Sequence, residues 1–318
     1  MPDIALWSAC DHRCVMCSNT FEYASTVKDY SYEAIKKRID SYKNGNGFSM
    51  HRFPDVKWDW TITGGEPTLN PDYFKILSYL REQFPESKLV QLTHGDHFAD
   101  DDFSQKIATI DNYHICVPLH GFNAETHEAI VRKKNAFHLL MKGILNIIKY
   151  RKPGHSLEIR IIIQKMNVDY LDKMYYLIHK FFPEVDSVST IMMEFEWQAI
   201  DNLKKTHVSY TEVMQKNEAI FLKWVWIFGH RFRLYHFPLC TVKDKRLWPF
   251  LWRTLPAHEI TFIKSCIDCK SAQHCMGIHE AYTEFNWDTE FSGFATDISD
   301  SIVLDQNNYR YHPIQSIK

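Results

Sequence analysis

Short apolar runs and longer amphipathic stretches alternate through the first 228 residues of this 318-residue chain. Five continuous apolar runs are typical of buried strands, and they cover residues 4–7, 58–63, 88–93, 113–119 and 186–193. The run from Leu157 to Ile163 differs because Glu158 and Arg160 alternate with its apolar residues. Strands separated by helical stretches are typical of parallel βα units, so the pattern predicts six of them.

Apolar residues at helical spacing follow these strands. Ser31 is a candidate N-cap for the first helix, and Asn70 with Pro71 at the first helical position is expected to begin the second. A sixth helix, rich in aromatic residues, is predicted over 209–228. In four of the predicted helices the apolar residues recur at helical spacing and are expected to face inward. These residues are, helix by helix, Ile35, Ile39 and Tyr42; Phe74, Leu77 and Leu80; Phe137, Leu140, Met141, Ile144 and Ile148; and Leu171, Met174, Tyr175, Ile178 and Phe182.

Composition places the chain among globular α/β proteins. With 45% hydrophobic residues and a length near two average domains, it can bury a substantial core. We expect a partial (β/α)6 barrel over residues 1–228 and a smaller domain with a tail over 229–318. A formal net charge of -2 offers no basic field for nucleic acid, and no apolar run reaches the length of a membrane span. Without a leader-like start, the cytoplasm is the expected compartment, so the eight cysteines are expected to be reduced or bound to metal.

The first candidate metal-binding motif follows the first apolar run directly. It has the spacing C-x3-C-x2-C and consists of Cys10, Cys14 and Cys17. Three thiolates can hold three irons of a [4Fe-4S] cluster and leave the fourth iron without a protein ligand. Thiolates also select zinc, so the spacing alone leaves the metal open. The 58–63 run leads straight into Gly64-Gly65-Glu66-Pro67, which by itself would be read as a tight turn.

Together and in this order, the two motifs resemble the radical S-adenosylmethionine (SAM) superfamily. The resemblance implies a TIM-like barrel in which Cys10, Cys14 and Cys17 carry a catalytic cluster whose open iron is chelated by SAM. It also implies that the cofactor is contacted at the ends of successive strands, where Glu66 offers a carboxylate to the SAM ammonium. The residues implied to contact SAM are Met16, Gly64, Gly65, Glu66, Pro67, Thr93, His94 and His120.

Some of these positions depart from the family pattern. Relatives more often carry an aromatic residue at Met16, serine at Pro118 and aspartate at His120. Histidines at loop mouths are also often solvated, which is the alternative role for His94 and His120. Cys116 lies within a predicted strand and is interpreted as a small buried hydrophobic residue. The resemblance implies that one electron, from a donor such as flavodoxin or ferredoxin, cleaves SAM to a 5′-deoxyadenosyl radical that removes hydrogen from a substrate.

A second group of cysteines follows the predicted barrel. Cys240 precedes a C-x2-C-x5-C motif made by Cys266, Cys269 and Cys275. The four can complete one auxiliary [4Fe-4S] cluster or a zinc site. The motif resembles the auxiliary-cluster regions called SPASM or twitch domains, with His279 where the larger pattern has another cysteine. If Cys240 is free, an open iron could instead hold substrate.

The segment Leu247 to Trp252, with Phe237 to Cys240 before it, resembles maturases of the His-Xaa-Ser peptide-modification system. This resemblance extends from Leu6 to about Tyr282 and implies a ribosomally made precursor peptide as substrate, with a cross-link or oxidation as product and a second radical SAM maturase as a possible partner. No separate leader-binding domain is expected before Ile4. The aromatic residues of 247–252 could pack in the core or line a peptide groove, and residues 283–318 match no pattern.

Two other functions stay open from the sequence. One is an enzyme of the same chemistry that oxidises a small molecule or matures a folded protein. The other is a binding module with iron-sulfur or zinc at Cys266 to Cys275 and no affinity for SAM, which Gly64 to Glu66 disfavour.

Overall fold

The computed structural model describes residues 3–19, 28–44, 59–252, 255, 259–285 and 287–295. Strands and short or long helices alternate along it. The strands are β1 (Asp3–Trp7), β2 (Trp60–Gly64), β3 (Leu89–Leu92), β4 (Tyr113–Pro118), β5 (Ser156–Ile163), β6 (Ser187–Met192), β7 (Phe232–Tyr235), β8 (Leu251–Trp252), β9 (Ile260–Thr261) and β10 (Ile278–His279). The α-helices are α1 (Tyr32–Lys43), α2 (Tyr73–Gln83), α3 (Asp101–Ile107), α4 (Ala124–Val131), α5 (Ala136–Tyr150), α6 (Leu171–Phe181), α7 (Gln198–Asp201), α8 (Leu203–Thr206), α9 (Tyr210–Phe228) and α10 (Glu280–Glu284).

Strands β1 to β8 form one sheet in the order of the chain, which confirms the predicted α/β class. Adjacent strands from β1 to β4, and from β6 to β8, are parallel. Six strands were expected, and the sheet has two more because β7 and β8 join its edge. These two strands have four residues and two residues, too short to give a clear hydrophobic pattern in the sequence. The pair β9 and β10 is separate and antiparallel.

The chain divides into two compact units. The first comprises Met1–Ile159 with Leu177–Asp186, and the second comprises Arg160–Tyr176 with Ser187–Lys318. The division into a barrel over 1–228 and an auxiliary domain over 229–318 stays a prediction. Trp58, expected to begin the second strand, lies outside the described residues, as do residues 296–318 of the tail. None of the helices in the described ranges combines the length and apolar character needed to cross a membrane.

In the first unit, α1 has the predicted cap and the predicted buried face of Ile35, Ile39 and Tyr42. The start of α2 differs from the prediction. The helix begins at Tyr73 with Asp72 at the N-cap. The side chain of Asn70 accepts a hydrogen bond from the NH of Asp72 (2.7 Å) and donates to the carbonyls of Leu6 (2.6 Å) and Tyr30 (2.9 Å). Asn70 thus links the end of β1 to the start of α2, and it lies 64 positions after its partner Leu6 in the sequence.

The buried face of α2 contains Leu77 and Leu80 as predicted, whereas Phe74 is only half-buried. The buried face of α5 is rotated in the same way. Leu140 and Ile144 are fully buried as predicted, but Phe137, Met141 and Ile148 are partly exposed. Close packing against the turn after β3 causes the rotation: a Cβ on Gly143 would lie 2.5 Å from the carbonyl oxygen of Gly95, and the Asn146 amide donates to the carbonyl of Phe98 at 2.9 Å.

The later helices follow the sequence pattern closely. All five residues expected inside α6 and just after it are at most 1% exposed. In the second unit, α9 runs for 19 residues, begins at an N-cap provided by Ser209, and buries Val213, Phe221 and Trp224. Most of the aromatic side chains in residues 209–228 therefore pack in the core.

Candidate functional site

Cys10, Cys14 and Cys17 lie on the loop that leaves β1, and all three are partly buried and free of disulfides. The loop is fixed by the end of α4, because the backbone NH groups of Arg13 and Val15 each donate to a carbonyl there, at 3.0 Å. The sulfurs themselves accept weak hydrogen bonds from the backbone NH groups two residues later, at 3.4 Å for Cys10 and for Cys17. The three thiols therefore project from a supported, irregular backbone.

The pKa values of Cys10 and Cys14 in this loop are raised, as expected for metal ligands without a bound cation. Burial raises the pKa of Cys10 to about 12. Burial and the neighbouring Cys17 and Cys10 raise the pKa of Cys14 well above its ordinary range. Without a positive partner the thiols of Cys10 and Cys14 are thus protonated, and a metal would have to supply the charge that stabilises the thiolates.

Gly64 and Gly65 pack against the backbone of the cysteine loop. A Cβ on Gly64 would lie 2.3 Å from the carbonyl oxygen of Trp7, and one on Gly65 would lie 2.2 Å from that of Ala9. The NH of Gly65 donates to Trp7 (2.8 Å) and that of Glu66 donates to Ala9 (2.9 Å). The glycines allow close approach as the sequence suggested, and in the described residues the nearest atoms are those of the loop that carries Cys10.

Glu66 is 1% exposed and its carboxylate joins the ends of β2 and β3. One oxygen accepts hydrogen bonds from the NH (3.1 Å) and hydroxyl (2.6 Å) of Thr68 and from the hydroxyl of Thr93 (2.7 Å). The other accepts from the NH of His94 at 2.8 Å. This carboxylate therefore holds two strand ends together, which is an additional role that the sequence did not indicate. Pro67 and Met16 are buried beside these turns.

His94 is buried in a cluster of charged side chains, which excludes the solvated alternative for this histidine. Its Nε2 lies 2.8 Å from Asp11 Oδ1, and its ring stacks on that of His12 with centroids 4.1 Å apart. The Nε2 of His12 in turn lies 3.0 Å from Asp96 Oδ2. Lys133 bridges the two carboxylates and lies 2.7 Å from Asp96.

The charges in this cluster balance one another. Burial alone would lower the pKa of His94, but the nearby carboxylates of Glu66, Asp11 and Asp96 raise it above its ordinary value. The hydrogen bond from His94, together with Lys133, holds the pKa of Asp11 far below its usual range. Asp11, His12, Asp96 and Lys133 were missed in the sequence, where the only signal was that titratable residues occupy the first gap of the cysteine motif and the position two after His94.

His120 is also buried, at 2% exposure, so it is not a solvated surface group. Its backbone NH donates to Nδ1 of His127 at 3.2 Å, and the two rings stack at 5.8 Å. Burial lowers the pKa of His127 to about 4 and that of His120 well below its usual value. Both imidazoles are therefore neutral at physiological pH. Cys116 is buried as predicted.

The second cysteine group lies entirely within the second unit. Cys240, Cys266, Cys269 and Cys275 all line one pocket, whose other walls include Leu239, Phe262, Ile278 and Phe294. The four thiols are close enough to affect one another, since burial and the other three cysteines raise the pKa of Cys240 to about 12. The sequence motif thus does bring the four cysteines together.

The spacing of the thiols bears on which metal suits each group. Sulfurs bound to one zinc at about 2.3 Å are about 3.8 Å apart. Among the described residues, no three of the seven motif cysteines have sulfurs within 4.8 Å of one another. In the described residues neither group therefore has the compact arrangement of a mononuclear site.

The aromatic segment between the cysteines packs in the core. Leu247 and Trp248 are at most 2% exposed, and the Trp248 indole NH donates to the carbonyl of Val242 at 3.0 Å. Trp252 is half-buried and lies under the guanidinium of Arg233 at 4.6 Å. For Leu247 and Trp248 the packing alternative is confirmed.

A family model described as the Radical SAM superfamily matches residues 4–178. Among curated proteins, the mycofactocin maturase MftC of Mycolicibacterium smegmatis is 25% identical over 166 residues, which are 52% of this chain and 38% of MftC. Among solved structures, Streptococcus suis SuiB bound to its precursor peptide SuiA gives a TM-score of 0.55 at 13% identity, over 74% of this chain and 49% of SuiB. The complex of anSMEcpe with AdoMet and the Kp18Cys peptide gives 0.52 at 15% identity, over 73% of this chain and 64% of anSMEcpe. The chain thus covers less than two thirds of each of these three relatives, and the solved structures support the fold.

Proposed function

This chain belongs to the radical SAM superfamily, and on that premise we propose that it uses SAM to abstract hydrogen from a ribosomally made peptide and so installs a cross-link or an oxidation. The observation that carries the proposal is the loop of Cys10, Cys14 and Cys17, which offers three thiols for one cluster. A fourth iron without a cysteine is the position that the superfamily uses for SAM.

The chain's own residues would hold and shield this site. Cys10, Cys14 and Cys17 would ligate the cluster, and the backbone of Gly64 and Gly65 keeps their loop against the end of β2. When bound, the cluster would supply the electron that cleaves SAM to methionine and a 5′-deoxyadenosyl radical. Glu66 would position the turn and the strand end that carries Thr93 and His94, whether or not it also contacts the SAM ammonium.

We assign the remaining predicted contacts to the same cofactor site. Met16, Pro67, Thr93, His94 and His120 are all buried, and all belong to the first unit. The neutral imidazole of His120 can donate or accept a hydrogen bond without adding charge near a sulfonium. The cluster around His94 would keep that strand end in one arrangement.

The four-cysteine pocket is proposed to hold one auxiliary [4Fe-4S] cluster. Four thiols complete the coordination of such a cluster, so it would have no open iron and would carry electrons or stabilise the second unit. The proposal is supported by the four thiols lining one pocket with mainly apolar walls. Cys240 is included because its thiol interacts with those of Cys266, Cys269 and Cys275.

A peptide substrate is supported by two relatives of known structure. SuiB is described with a bound precursor peptide and anSMEcpe with a bound Kp18Cys peptide. A maturase partner and a flavodoxin or ferredoxin donor belong to the same proposal.

The test is anaerobic reconstitution with iron and sulfide, followed by SAM, dithionite and the peptide encoded beside this gene. We expect the peptide to increase the formation of 5′-deoxyadenosine and to undergo a change in mass. Deoxyadenosine without any mass change in the peptide, but with turnover of an added metabolite, would instead support the small-molecule alternative. Failure to form deoxyadenosine in cluster-loaded protein would refute the proposal.

A further inference from the structure

A second, larger pocket lies in the second unit and is separate from the four cysteines. It measures about 440 Å³ and opens to solvent. Its walls come from the segment after β6, from α7, from the residue before β9, and from β10 with α10. The residues that line it are Phe195, Glu196, Trp197, Ile200, Asp201, Glu259, His279, Glu280, Ala281 and Glu284. We refer to it as the Trp197 pocket.

The walls of the Trp197 pocket are strongly acidic. Five of the ten lining residues are carboxylates, and none of the described residues in its wall is lysine or arginine. Burial and repulsion from Glu196 raise the pKa of Glu259 to about 7, and burial raises the pKa of Glu196 as well. Carboxylates that repel one another at one site favour a cation there.

A buried imidazole in the same wall independently indicates a ligand. His279 is 6% exposed, and neither ring nitrogen has a hydrogen-bond partner among the described residues. Its nearest acidic neighbour, Glu196, lies 3.8 Å away, which is too far for a hydrogen bond. Burial lowers the pKa of His279 to about 4, so the ring is neutral and offers one donor and one acceptor. A buried polar group without partners is costly, and a bound molecule with amide groups would satisfy it.

An exposed aromatic side chain forms part of the pocket wall. Trp197 is 48% exposed and Ile200 is 36% exposed, although both are large apolar residues. The backbone of Trp197 has φ 43° and ψ -114°, a strained combination for a residue with a side chain. The strained backbone holds the indole of Trp197 in the wall of an acidic pocket. The exposed face of this indole is a surface on which a flat cation can stack.

A single metal ion suits the Trp197 pocket poorly. Among the described residues, no three of its histidine and carboxylate ligand atoms lie within 4.8 Å of one another. The carboxylates are instead spread over the wall of a pocket large enough for a side chain. A guanidinium group matches these features, because it is planar, stacks on aromatic rings and pairs with more than one carboxylate.

We propose that the Trp197 pocket binds an arginine side chain of the peptide substrate, with the guanidinium between Trp197 and the carboxylates of Glu196 and Glu259. The imidazole of His279 then hydrogen-bonds to the backbone of the same peptide. The inference rests on the proposed function, because it assigns a recognition element to the peptide.

The test uses two fluorescein-labelled peptides of glycine and serine with one central residue, arginine in the first and its neutral isostere citrulline in the second. Fluorescence anisotropy measures their binding to the full chain at low salt. We expect the arginine peptide to bind at least about tenfold more tightly than the citrulline peptide, and added salt to reduce the difference. Equal binding of the two peptides would overturn the proposal.

Variants of the pocket and matched controls locate the binding site. Glu196→Gln combined with Glu259→Gln should weaken the arginine peptide about tenfold or more, whereas Glu212→Gln, an acid on α9 outside the pocket, should leave its affinity within about twofold. Trp197→Ala should weaken binding and Trp197→Phe should preserve it, while Trp226→Ala changes an 85% exposed tryptophan elsewhere and should have no effect. Melting curves identify any variant that fails to fold. Equal losses in the pocket variants and their controls would contradict the assignment.

The same protein preparations separate this inference from the proposed function. SAM cleavage by cluster-loaded wild type, combined with equal binding of the two peptides, would refute only the arginine site. Preference for the arginine peptide in a chain that cannot cleave SAM would refute only the proposed function. A mass change in the encoded peptide that is slowed by the Glu196 and Glu259 double variant at low peptide concentration, and restored at high concentration, would support both.

Discussion

The two cysteine groups of this chain differ in ligand number and in what surrounds them. The loop of Cys10, Cys14 and Cys17 has three thiols and adjoins a cluster of buried charges that includes His94 and Lys133. The pocket of Cys240, Cys266, Cys269 and Cys275 has four thiols and mainly apolar walls. An incomplete ligand set in polar surroundings suits a cluster that must bind a charged cofactor, whereas a complete set in apolar surroundings suits a cluster that must be kept from water.

The strongest test of this contrast removes thiols from the first group. Replacing Cys10, Cys14 and Cys17 by alanine should lower deoxyadenosine formation at least about a thousandfold, because the electron-transfer cofactor is lost. Iron content should fall by about four atoms per chain. Liquid chromatography and iron analysis measure both quantities. Cys116→Ala, at a buried cysteine outside both groups, is the control and should retain the iron. Wild-type rates in the triple variant would remove the basis of the proposed function.

The second test removes ligands from the four-cysteine pocket. With Cys266 and Cys269 replaced by alanine, about four irons should again be lost, yet SAM cleavage without peptide should continue within about threefold of wild type. Peptide product should disappear. The ratio of deoxyadenosine to modified peptide, measured by mass spectrometry, reports the difference. If SAM cleavage falls as far as product formation, the two groups do not have separate roles.

A third test concerns the polar support of the first group. Glu66→Gln replaces one acceptor oxygen by an NH2 group, so at least one of the donors from Thr68, Thr93 and His94 is left unsatisfied in a buried position. We expect a loss of about 1–3 kcal/mol in the free energy of unfolding and weaker SAM binding. Urea unfolding and calorimetry of SAM binding measure the two effects. Glu82→Gln, on the exposed side of α2, should change neither. Unchanged stability in the Glu66 variant would show that this carboxylate does not organise the strand ends.

The smallest expected effect is a pH dependence from α4, whose last turn supports the cysteine loop. His127 is neutral in the folded protein because burial lowers its pKa to about 4, below the value of about 6.5 in an unfolded chain. Its contribution to stability is therefore present above pH 6.5 and is lost as the pH falls from there towards 4.

His127→Asn keeps an acceptor for the NH of His120 and removes this titration. The variant should lose less stability than wild type between pH 7 and pH 5, as measured by urea unfolding of protein without metal. His138→Asn, at an exposed position on α5, should behave as wild type. A His127 variant with the full wild-type pH dependence would show that another group causes it.

Local patterns in the sequence determined most of the architecture. Five continuous apolar runs and one alternating run predicted the first six strands, and helical spacing predicted the buried residues of α1 and α6, because these signals depend on neighbours within a few positions. The spacing of the cysteines indicated both cysteine groups for the same reason. Two further strands, the start of α2 and the rotated face of α5 could not be predicted, since each depends on a distant partner.

The candidate site shows the same division. The sequence shows the cysteine spacing and the Gly64 to Pro67 turn. The bond of Thr93 to Glu66, the pairing of Asp11 with His94 and the bridge made by Lys133 join residues 27 to 122 positions apart. The Trp197 pocket likewise collects residues from Phe195 to Glu284. The sequence by itself determined which chemical groups the chain carries and which short segments present them. Only the tertiary structure decided which charges meet, because burial and distance set the energies of ion pairs and hydrogen bonds and neither is encoded in local spacing.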